Sequence, residues 1–322
     1  MYYILFNKWL ISAAIALGLA VLYMKLTTGT CKSKRRLDGK TVIVTGANIG
    51  IGKETARDLA ARGARVIMAC RDMSRAKQAR DDIVAATGNQ EVVTRQLDLS
   101  SFCSVRRFVG EVLASESRLD VLINNAGVGG VGRKITKNGL LLGMQTNHYG
   151  HFLLTVLLID LLKKSAPSRI VTVSSILHRY YSFDLDNLNA EKFFGDTRIY
   201  SNSKLANILM SNELARRLEA AGVTSNSLHP GAVETAIFRH MPFHLKSATW
   251  LVMKLFFKTA VEGAQTSIYL AVSEEVEGVT GKYFADCKEA KPSSVATDAG
   301  LAKRLWEKSE EIVQLKPGEA KI

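Results

Sequence analysis

The sequence predicts an α/β protein built on a single doubly wound parallel sheet and preceded by an N-terminal membrane anchor helix. From Leu37 onward, short apolar runs alternate with helical patterns, and a glycine-rich loop, Thr45–Gly52, follows the first run. An uncharged segment lies close to the N-terminus. Because a helical crossover joins two strands in parallel, this alternation favours a mainly parallel sheet with helices on both faces.

Composition indicates one globular domain. The chain has 322 residues, of which 47% are hydrophobic and 23% are charged, which is typical of a folded protein of this size. The four cysteines have no CxxC spacing and are expected to be reduced thiols, with no zinc site and no disulfides; they are Cys31, Cys70, Cys103 and Cys287. The net charge of +13 is spread along the chain, and no nucleic-acid-binding signature accompanies it.

The N-terminal segment is expected to anchor the chain in a membrane. Residues Trp9–Met24 carry no charge, and a basic run follows at Lys32–Arg36. The apolar span is slightly shorter than a hydrocarbon core of ~30 Å. A cleaved signal peptide would place its positive charge before the apolar run, and a buried core helix would not lead into a basic linker. Residues 1–36 are therefore assigned to an anchor and basic linker, with residues 37–322 in the cytosol.

The domain is expected to alternate strands and helices in order. Strands are predicted at Lys40–Thr45, Arg65–Cys70, Glu91–Gln96, Val121–Ile123, Arg169–Val173, Val223–Leu228 and Lys282–Phe284. Helices are predicted from the glycine loop to Arg62, over Ser74–Ala86 and Ser100–Glu116, within Leu141–Lys164, from near Tyr200 to about Ala221, and over Val261–Val276 and Ala299–Leu315. The pattern has no internal break, so it predicts one sheet.

The glycine-rich loop indicates a dinucleotide site. Gly46 allows a tight turn out of the strand, Gly50 lets the backbone approach a pyrophosphate, and Gly52 allows close helix packing. The following helix directs unpaired N–H groups and its positive dipole end at the phosphates. A glycine-rich turn without a ligand is the alternative, but strand, loop, helix and parallel strand in succession favour a Rossmann-type cofactor site.

The end of the second strand bears on which cofactor binds. NAD sites usually place an acidic residue there, against the ribose 2′-hydroxyl. This chain has Arg71 at that position, Asp72 next to it, and Lys53 early in the first helix. A guanidinium can pair with a 2′-phosphate. We therefore expect NADP(H), with NAD as the alternative that Asp72 keeps open.

Tyr200 and Lys204 are the central candidates for chemistry. Four residues apart on a helix, they share one face. A neighbouring ammonium favours the phenolate, so Lys204 is expected to lower the pKa of Tyr200 and make it a usable acid/base. The same spacing also occurs by chance on surface helices, so it does not identify a site by itself.

Five spaced motifs together resemble the short-chain dehydrogenase/reductase superfamily, over roughly Asp38 to Phe284. They are Thr45–Gly52, Asn124-Asn-Ala-Gly127, Ser174-Ser175, Tyr200-x-x-x-Lys204 and Pro230-Gly231. Within the superfamily, Ala69-Cys-Arg-Asp72, Asn147-His-x-Gly-His-Phe152 and the N-terminal anchor are similar to membrane-bound retinol dehydrogenases.

This resemblance implies a role for each matching residue. Tyr200 would be the catalytic acid/base, Lys204 would lower its pKa and hold the nicotinamide ribose, and Ser175 would hydrogen-bond the substrate oxygen. Asn147 would support a water-linked proton path to Lys204. The implied cofactor-binding residues are Gly46, Asn48, Ile49, Gly50, Ile51, Gly52, Lys53, Arg71, Asp98, Leu99, Asn125, Ala126, Gly127, Tyr200, Lys204, Pro230, Gly231, Val233 and Thr235.

Other chemistries have weaker support. The histidines His148, His151, His178 and His229 lack metal-ligand spacing on one element, so they are interpreted as packing or loop residues and no metal site is expected. A serine hydrolase would need a G-x-S-x-G elbow, which this chain lacks. A cofactor-binding scaffold without turnover is a further alternative, against which the intact Ser175, Tyr200 and Lys204 argue.

Two apolar stretches suggest a lipophilic substrate. One is the long insert between Ser175 and Tyr200, with aromatic residues at Tyr180, Tyr181, Phe183, Phe193 and Phe194; the other is Trp250–Phe257, which is equally compatible with a core helix. We expect an NADP(H)-dependent reductase or dehydrogenase acting at the endoplasmic reticulum membrane. Retinol and retinal are the leading pair, and steroids or fatty and lipid-derived aldehydes are the alternative. The oligomeric state is open between monomer and homodimer.

Overall fold

The structure, a computed structural model, describes residues 15–16, 18–19, 21–189, 192, 195–233, 256–316 and 318–319. Half of the predicted anchor Trp9–Met24, six of the eight residues of Trp250–Phe257, and Phe193, Phe194 and Thr235 lie outside these residues. Residues 21–27 are helical. No helix within the described ranges is long and apolar enough to cross a bilayer.

Eight strands form one sheet, as the alternating pattern predicts. They are β1 (Thr41–Thr45), β2 (Arg65–Cys70), β3 (Val92–Gln96), β4 (Val121–Asn124), β5 (Ser168–Val173), β6 (Val223–Leu228), β7 (Tyr283–Ala285) and β8 (Lys288–Glu289). Their order is β3-β2-β1-β4-β5-β6-β7-β8, and all neighbours are parallel except β7 and β8. The order reverses direction between β1 and β4, which is where a doubly wound sheet opens its ligand crevice.

The helices pack on both faces of this sheet. They are α1 (Gly50–Ala61), α2 (Met73–Thr87), α3 (Phe102–Ser115), α4 (Gly150–Lys164), α5 (Asp196–Arg217), α6 (Ala260–Val272) and α7 (Ala299–Val313). Side-chain oxygens of Asp72, Ser101, Thr259 and Asp298 accept backbone N–H bonds at the helix starts, satisfying donors that a helix leaves unpaired.

Alternating side chains of each strand enter two separate cores. Val42 and Val44 pack toward α1, α2 and α6, whereas Ile43 packs toward α3, α4, α5 and α7. All three side chains are fully buried. Because both sheet faces are covered, the loops at the carboxyl ends of the strands are where chemistry can reach a ligand.

Three features were not predicted. A π-helical turn, Gln145–Tyr149, precedes α4, and β8 adds a short antiparallel edge. The helix that carries Tyr200 ends at Arg217 rather than near Ala221, because a glycine in the left-handed region, Gly222, follows and leads into β6. The other predicted elements appear within a few residues of their expected bounds.

Candidate active site

The glycine loop forms a backbone cradle between β1 and α1. Gly46 and Gly50 have φ of 66° and 58°, a region that favours glycine. A methyl group at Gly52 would overlap the Gly46 carbonyl oxygen and the Asn125 side chain, so only glycine allows α1 this close. The buried Cys70 thiol accepts backbone N–H bonds from Ala47 and Asn48 beneath the loop, and burial raises its pKa to about 11. This thiol therefore supports the loop and is unreactive.

The Thr45 hydroxyl ties the loop to the end of β4. Its Oγ1 accepts the backbone N–H groups of Asn125 and Ala126, both at 2.9 Å. The Asn125 side chain returns a bond to the Thr45 carbonyl at 2.8 Å. The predicted cofactor residues Asn125 and Ala126 are thus held against the first strand.

His151 extends this connection to the π-helical turn. Its Nε2 lies 2.9 Å from Thr45 Oγ1, and its Nδ1 lies 3.0 Å from the Asn147 carbonyl oxygen. The Nδ1–H tautomer satisfies both contacts, since Nδ1 donates and Nε2 accepts. Burial lowers the pKa of His151 to about 3, so the ring is neutral. It is a structural bridge between β1 and Asn147.

Asn147 lies at the centre of the π-helical turn and is fully buried. Its Oδ1 accepts from the Val128 backbone N–H at 2.8 Å, and its Nδ2 donates to the Val128 carbonyl and to Ser203 Oγ, both at 2.9 Å. These bonds join the loop after β4 to α5. The side chain therefore holds the Tyr200 helix in place, while its carbonyl faces His151.

Lys204 is buried at the carboxyl edge of the sheet. Its Nζ donates to the Val173 carbonyl at 3.0 Å, and burial lowers its pKa to about 8. A methyl group at Gly127 would come within 3.2 Å of Nζ and 3.5 Å of Asn147 Oδ1. Gly127 therefore leaves the approach to Lys204 open, which a larger side chain would narrow.

Tyr200 and Ser175 meet beside Lys204. The two hydroxyl groups are hydrogen-bonded, and Lys204 Nζ lies 5.6 Å from the centre of the Tyr200 ring. Burial raises the pKa of Tyr200 to about 12, and the bond with Ser175 only partly opposes this. In the protein's own groups the pKa of Tyr200 is therefore raised and not lowered as expected, because desolvation of the phenolate dominates. The Lys204 ammonium donates to the Val173 carbonyl.

Ser174 and Ser175 have different roles. Ser174 Oγ is buried and donates to the Lys204 carbonyl at 2.7 Å, whereas Ser175 reaches Tyr200. His178 fixes the Ser175 backbone, since its Nδ1 lies 2.7 Å from the Ser175 carbonyl and its Nε2 accepts from the Ser293 N–H at 3.0 Å. Burial lowers the pKa of His178. This arrangement supports the choice of Ser175 as the reacting serine.

The end of β2 presents a cation. Arg71 is exposed, whereas Asp72 caps α2 through the Arg75 backbone N–H at 3.1 Å and pairs with the Arg75 side chain at 3.4 Å. Lys53 pairs with Asp82 at 2.6 Å. Asp72 is thus engaged by its own helix, and Arg71 is the more available group.

The turn after β3 forms another side of the crevice. Asp98 accepts from the backbone N–H and hydroxyl of Ser100, at 3.0 and 2.6 Å. The buried Leu99 packs against Gly150, where a methyl group would meet the Leu99 side chain at 2.8 Å. Of these two predicted cofactor residues, Leu99 therefore contacts the start of α4.

The segment after β6 closes the opposite side. Gly231 has φ of 90°, and its N–H donates to His229 Nδ1 at 3.1 Å. Val233 packs on Gly263 of α6, near Ile51 of the glycine loop. Pro230, Gly231 and Val233, which the resemblance implies as cofactor-binding residues, thus follow the carboxyl end of β6.

These residues together fit an elongated anionic cofactor. The glycine cradle can accept a pyrophosphate at the N-terminus of α1, and the carboxyl edge from Arg71 to Gly231 runs past Tyr200 and Lys204. Within the described ranges, no group of three acidic, histidine or cysteine side chains is arranged to hold a metal ion. The arrangement offers a proton donor beside a dinucleotide cradle.

A comparison with protein-family models identifies the family of this chain. The family model described as "short chain dehydrogenase" matches residues 40–243. The chain belongs to the short-chain dehydrogenase/reductase family. Its members are oxidoreductases, and a nicotinamide cofactor fits the cradle.

Relatives of this short-chain dehydrogenase cover most of its length. It is 50% identical to human retinol dehydrogenase 14 over 294 residues, 87% of this chain and 88% of the relative. It is 47% identical to human retinol dehydrogenase 11, covering 90% and 91% of the two chains. These matches confirm the resemblance to retinol dehydrogenases.

Solved structures agree with the fold of this short-chain dehydrogenase. An uncharacterized protein from Mycobacterium paratuberculosis has a TM-score of 0.72 and 34% identity, covering 90% of this chain and 99% of its own. The Pseudomonas aeruginosa RhlG/NADP active-site complex has a TM-score of 0.62 and 26% identity, covering 83% and 98%.

Two histidines with roles beside the site were assigned only to packing or loops. His151 bridges Thr45 and Asn147, and His178 clamps the loop that carries Ser175. The position of His151 four residues after Asn147 was a usable signal, because a side chain can reach the carbonyl one turn back. No local pattern connects His178 to Ser293, so that contact needed the structure.

The pKa of Lys204 predicts an alkaline limit on turnover. Below pH 8 Lys204 is charged; as pH rises through about 8 it loses its proton, while Tyr200 stays protonated until about 12. We expect kcat/KM for carbonyl reduction to fall about tenfold per pH unit above that point. Steady-state rates from pH 6 to 10 measure this alkaline decline in kcat/KM.

The variant Lys204→Arg is the control for this pH profile. Arginine stays charged throughout the range, so whatever rate the variant retains should not decline near pH 8. A wild-type profile that is flat to pH 10 would rule out titration of Lys204 as the cause.

Proposed function

We propose that this enzyme is an NADP(H)-dependent oxidoreductase that interconverts a lipophilic alcohol and its aldehyde or ketone, with retinal and retinol as the leading pair. The observation that carries the proposal is the meeting of Ser175, Tyr200 and Lys204 at the carboxyl edge, next to a glycine cradle. Reduction with NADPH is the expected direction, as the resemblance to retinol dehydrogenases implies.

Each residue has a defined task in this proposal. The bound cofactor supplies hydride chemistry. Tyr200 donates its proton to the carbonyl oxygen, and Ser175 donates a second hydrogen bond that stabilises the developing oxyanion. Lys204 places a positive charge near the phenolate that forms, which lowers the energy of that state. Asn147 keeps the helix of Tyr200 and Lys204 in register through Val128 and Ser203.

A lipophilic substrate is supported by the surroundings of Tyr200. A small recess beside its ring is lined by the apolar side chains of Val128, Val131 and Ile199, together with four glycines and the carboxylate residue Asp196. The relatives at 50% and 47% identity carry the name retinol dehydrogenase. In the insert, Tyr180 is 67% exposed and Tyr181 is 40% exposed, which leaves aromatic surface near the Ser175 loop. Steroids and lipid-derived aldehydes share this apolar chemistry and are the alternative substrates.

The substrate is tested by an assay in membrane fractions. All-trans-retinal, a steroid ketone and a medium-chain aldehyde are offered with NADPH and with NADH. We expect retinal with NADPH to give the highest kcat/KM, because the relatives at 50% and 47% identity carry the name retinol dehydrogenase and an extended apolar aldehyde suits the proposed membrane route.

The matched control in this assay is Tyr200→Phe. It removes the proton donor and keeps the ring, so turnover should fall by about 10²–10⁴-fold while NADPH still binds. Near-normal turnover by this variant would reject the acid/base assignment, and a wild-type enzyme that binds NADPH but reduces none of the three carbonyls would favour the scaffold alternative.

NADP(H) is proposed over NAD(H) from the charges at the end of β2. Asp72 is occupied as a helix cap, and Arg71 is exposed at the position next to the cradle. A ribose 2′-phosphate would gain a charge-assisted contact from Arg71. The solved RhlG relative was determined with NADP, which is compatible with this choice.

Replacing Arg71 tests this preference. Arg71→Asp should weaken NADPH binding about 10–100-fold, the equivalent of one lost charge-assisted contact, and change NADH binding far less. Cofactor fluorescence titration measures both. Lys77→Asp, at an exposed cation within α2, makes the same change in net charge and should have little effect. Equal losses for NADPH and NADH in Arg71→Asp would reject the 2′-phosphate contact.

The membrane anchor is proposed from sequence and supported by surface chemistry. In the described part of the N-terminal segment, Ile15, Leu19, Leu22 and Leu26 are all more than half exposed. At intervals of three or four they form one apolar stripe. A helix of this kind is suited to lipid, and the basic run after it favours the cytosolic side of the endoplasmic reticulum membrane.

Removing residues 1–24 tests the anchor and retains Lys25 and the basic run. We expect the shortened protein to leave the membrane fraction while NADPH binding persists, because the glycine cradle lies entirely after residue 40. A full-length Lys32→Gln/Lys34→Gln variant should stay on membranes at high salt. If the shortened protein still sediments with membranes, the Trp250–Phe257 segment is the better candidate for membrane contact.

A further inference from the structure

The linker between the predicted anchor and β1 is bound to the domain along its length. We call residues 25–36 the strap. Lys25 Nζ pairs with Glu262 at 2.9 Å, the Gly29 N–H donates to Asp286 Oδ1 at 3.1 Å, and the Cys31 N–H donates to Gln265 Oε1 at 3.0 Å. Its first half therefore follows α6 and the β7–β8 turn.

The second half of the strap is held from the other side. The Arg62 guanidinium donates to the carbonyls of Ser33 and Arg35 at 2.9 and 3.0 Å. The Arg35 side chain pairs with Glu274 and Glu277 at 3.2 and 3.0 Å. Backbone and side-chain contacts together fix the course of the chain better than surface ion pairs alone would.

Gly29 is the closest point of contact. A methyl group there would overlap the backbone of Asp286, so the strap approaches the β7–β8 turn as closely as a glycine allows. Asp286 and Cys287 form that turn with φ of 50° and 57°. Two successive left-handed residues are the signature of a tight hairpin turn, so the surface that Gly29 meets is rigid.

Asp286 connects the strap to Lys258. Its carboxylate accepts the Gly29 N–H and forms an ion pair with Lys258 Nζ, whose side chain is only 15% exposed. Burial acts to raise the pKa of Asp286, but the bonds from Lys258 and Gly29 hold it below its usual value. The pair is therefore charged at neutral pH.

Lys258 in turn supports the turn at Gly231. Its side chain lies against Gly231, where a methyl group would come within 2.9 Å of Lys258 Cδ and Cε. Its backbone N–H donates to the Ala232 carbonyl at 2.7 Å. Gly231 follows β6, whose last residue, Leu228, accepts the Ser174 N–H at 2.6 Å. The chain of contacts thus runs from the strap to the edge of the site.

We propose that the strap is a working part of the site: through Asp286 and Lys258, which act as positioning residues, it holds the Gly231 turn in place beside the cofactor. This inference rests on the proposed function, together with the family resemblance, which implies that Pro230 and Gly231 bind the cofactor. A segment leading to the membrane would then set the geometry of the cofactor site as well as the attachment of the enzyme.

Two variants of the full-length protein test the Gly29–Asp286 contact and the Asp286–Lys258 ion pair separately. Gly29→Ala pushes the strap off the Asp286 backbone. Asp286→Asn keeps an acceptor for the Gly29 N–H and tolerates the left-handed backbone, but it loses the charge that holds Lys258. Thr30→Ala, at an exposed neighbouring position in the strap, is the matched control.

The four cysteines report on the strap without any assay of activity. Cys31 and Cys287 are partly buried at the strap contact, Cys103 is exposed, and Cys70 is buried in the core. Alkylation followed by mass spectrometry gives the rate at each thiol. Local opening exposes the first two, and Cys70 stays protected as long as the fold is intact.

We expect Gly29→Ala to raise the labelling of Cys31 and Cys287 about tenfold relative to Cys103, and to raise the NADPH dissociation constant about tenfold. Asp286→Asn should weaken NADPH similarly while Cys31 labelling stays near the wild-type rate. Thr30→Ala should match the wild type in both measurements. Fluorescence titration gives the dissociation constants.

Two results would overturn the proposal. In one, Gly29→Ala leaves thiol labelling unchanged, which would mean that the strap does not depend on this contact. In the other, labelling rises but NADPH binding and kcat/KM stay at wild-type values in both variants. If Cys70 becomes reactive in Gly29→Ala, the fold of that variant is no longer intact. The NADPH affinity of Asp286→Asn then tests the proposal alone. If the labelling and NADPH affinity shift as expected but no retinoid is reduced, the substrate assignment fails and the strap inference stands.

Discussion

The buried hydroxyl of Thr45 is the contact on which the rest of the site depends. It accepts the N–H groups of Asn125 and Ala126 and lies beside His151, which reaches the Asn147 carbonyl. The side chains of Thr45, Asn147 and His151 are fully buried, and an unsatisfied buried polar group costs about 1–3 kcal/mol. The ends of β1 and β4 and the π-helical turn are thus specified jointly, and a shift in one would leave the others unpaired.

This buried environment also determines the proton chemistry. Burial acts in opposite directions on the two central pKa values, raising that of Tyr200 to about 12 and lowering that of Lys204 to about 8. Both changes favour neutral side chains. At neutral pH, Tyr200 is therefore a protonated phenol that can donate its proton, and Lys204 is an ammonium that loses its proton more readily than an exposed lysine does.

The features that local sequence patterns encode, namely the strands, the glycine cradle and the candidate catalytic residues, could be predicted from the sequence. β-branched runs such as Thr41–Thr45 and the glycine positions defined the strands and the cradle, and the spaced motifs named Ser175, Tyr200 and Lys204. The π-helical turn was not predicted, because five residues within a long apolar helix carry no separate periodicity. Nor was the strap predicted: the need for glycine at position 29 arises from Asp286, 257 residues away.

The two ends of the crevice are held by different kinds of interaction, so salt and pH affect them differently. The glycine cradle relies on backbone packing at Gly46 and Gly52, which salt and pH leave unchanged. The Gly231 side relies on the partly buried pair of Lys258 and Asp286 and on a strap held by ion pairs as well as by backbone hydrogen bonds. Exposed ion pairs are screened by salt. Added salt would therefore act first on the contacts behind the Gly231 turn and leave the cradle intact.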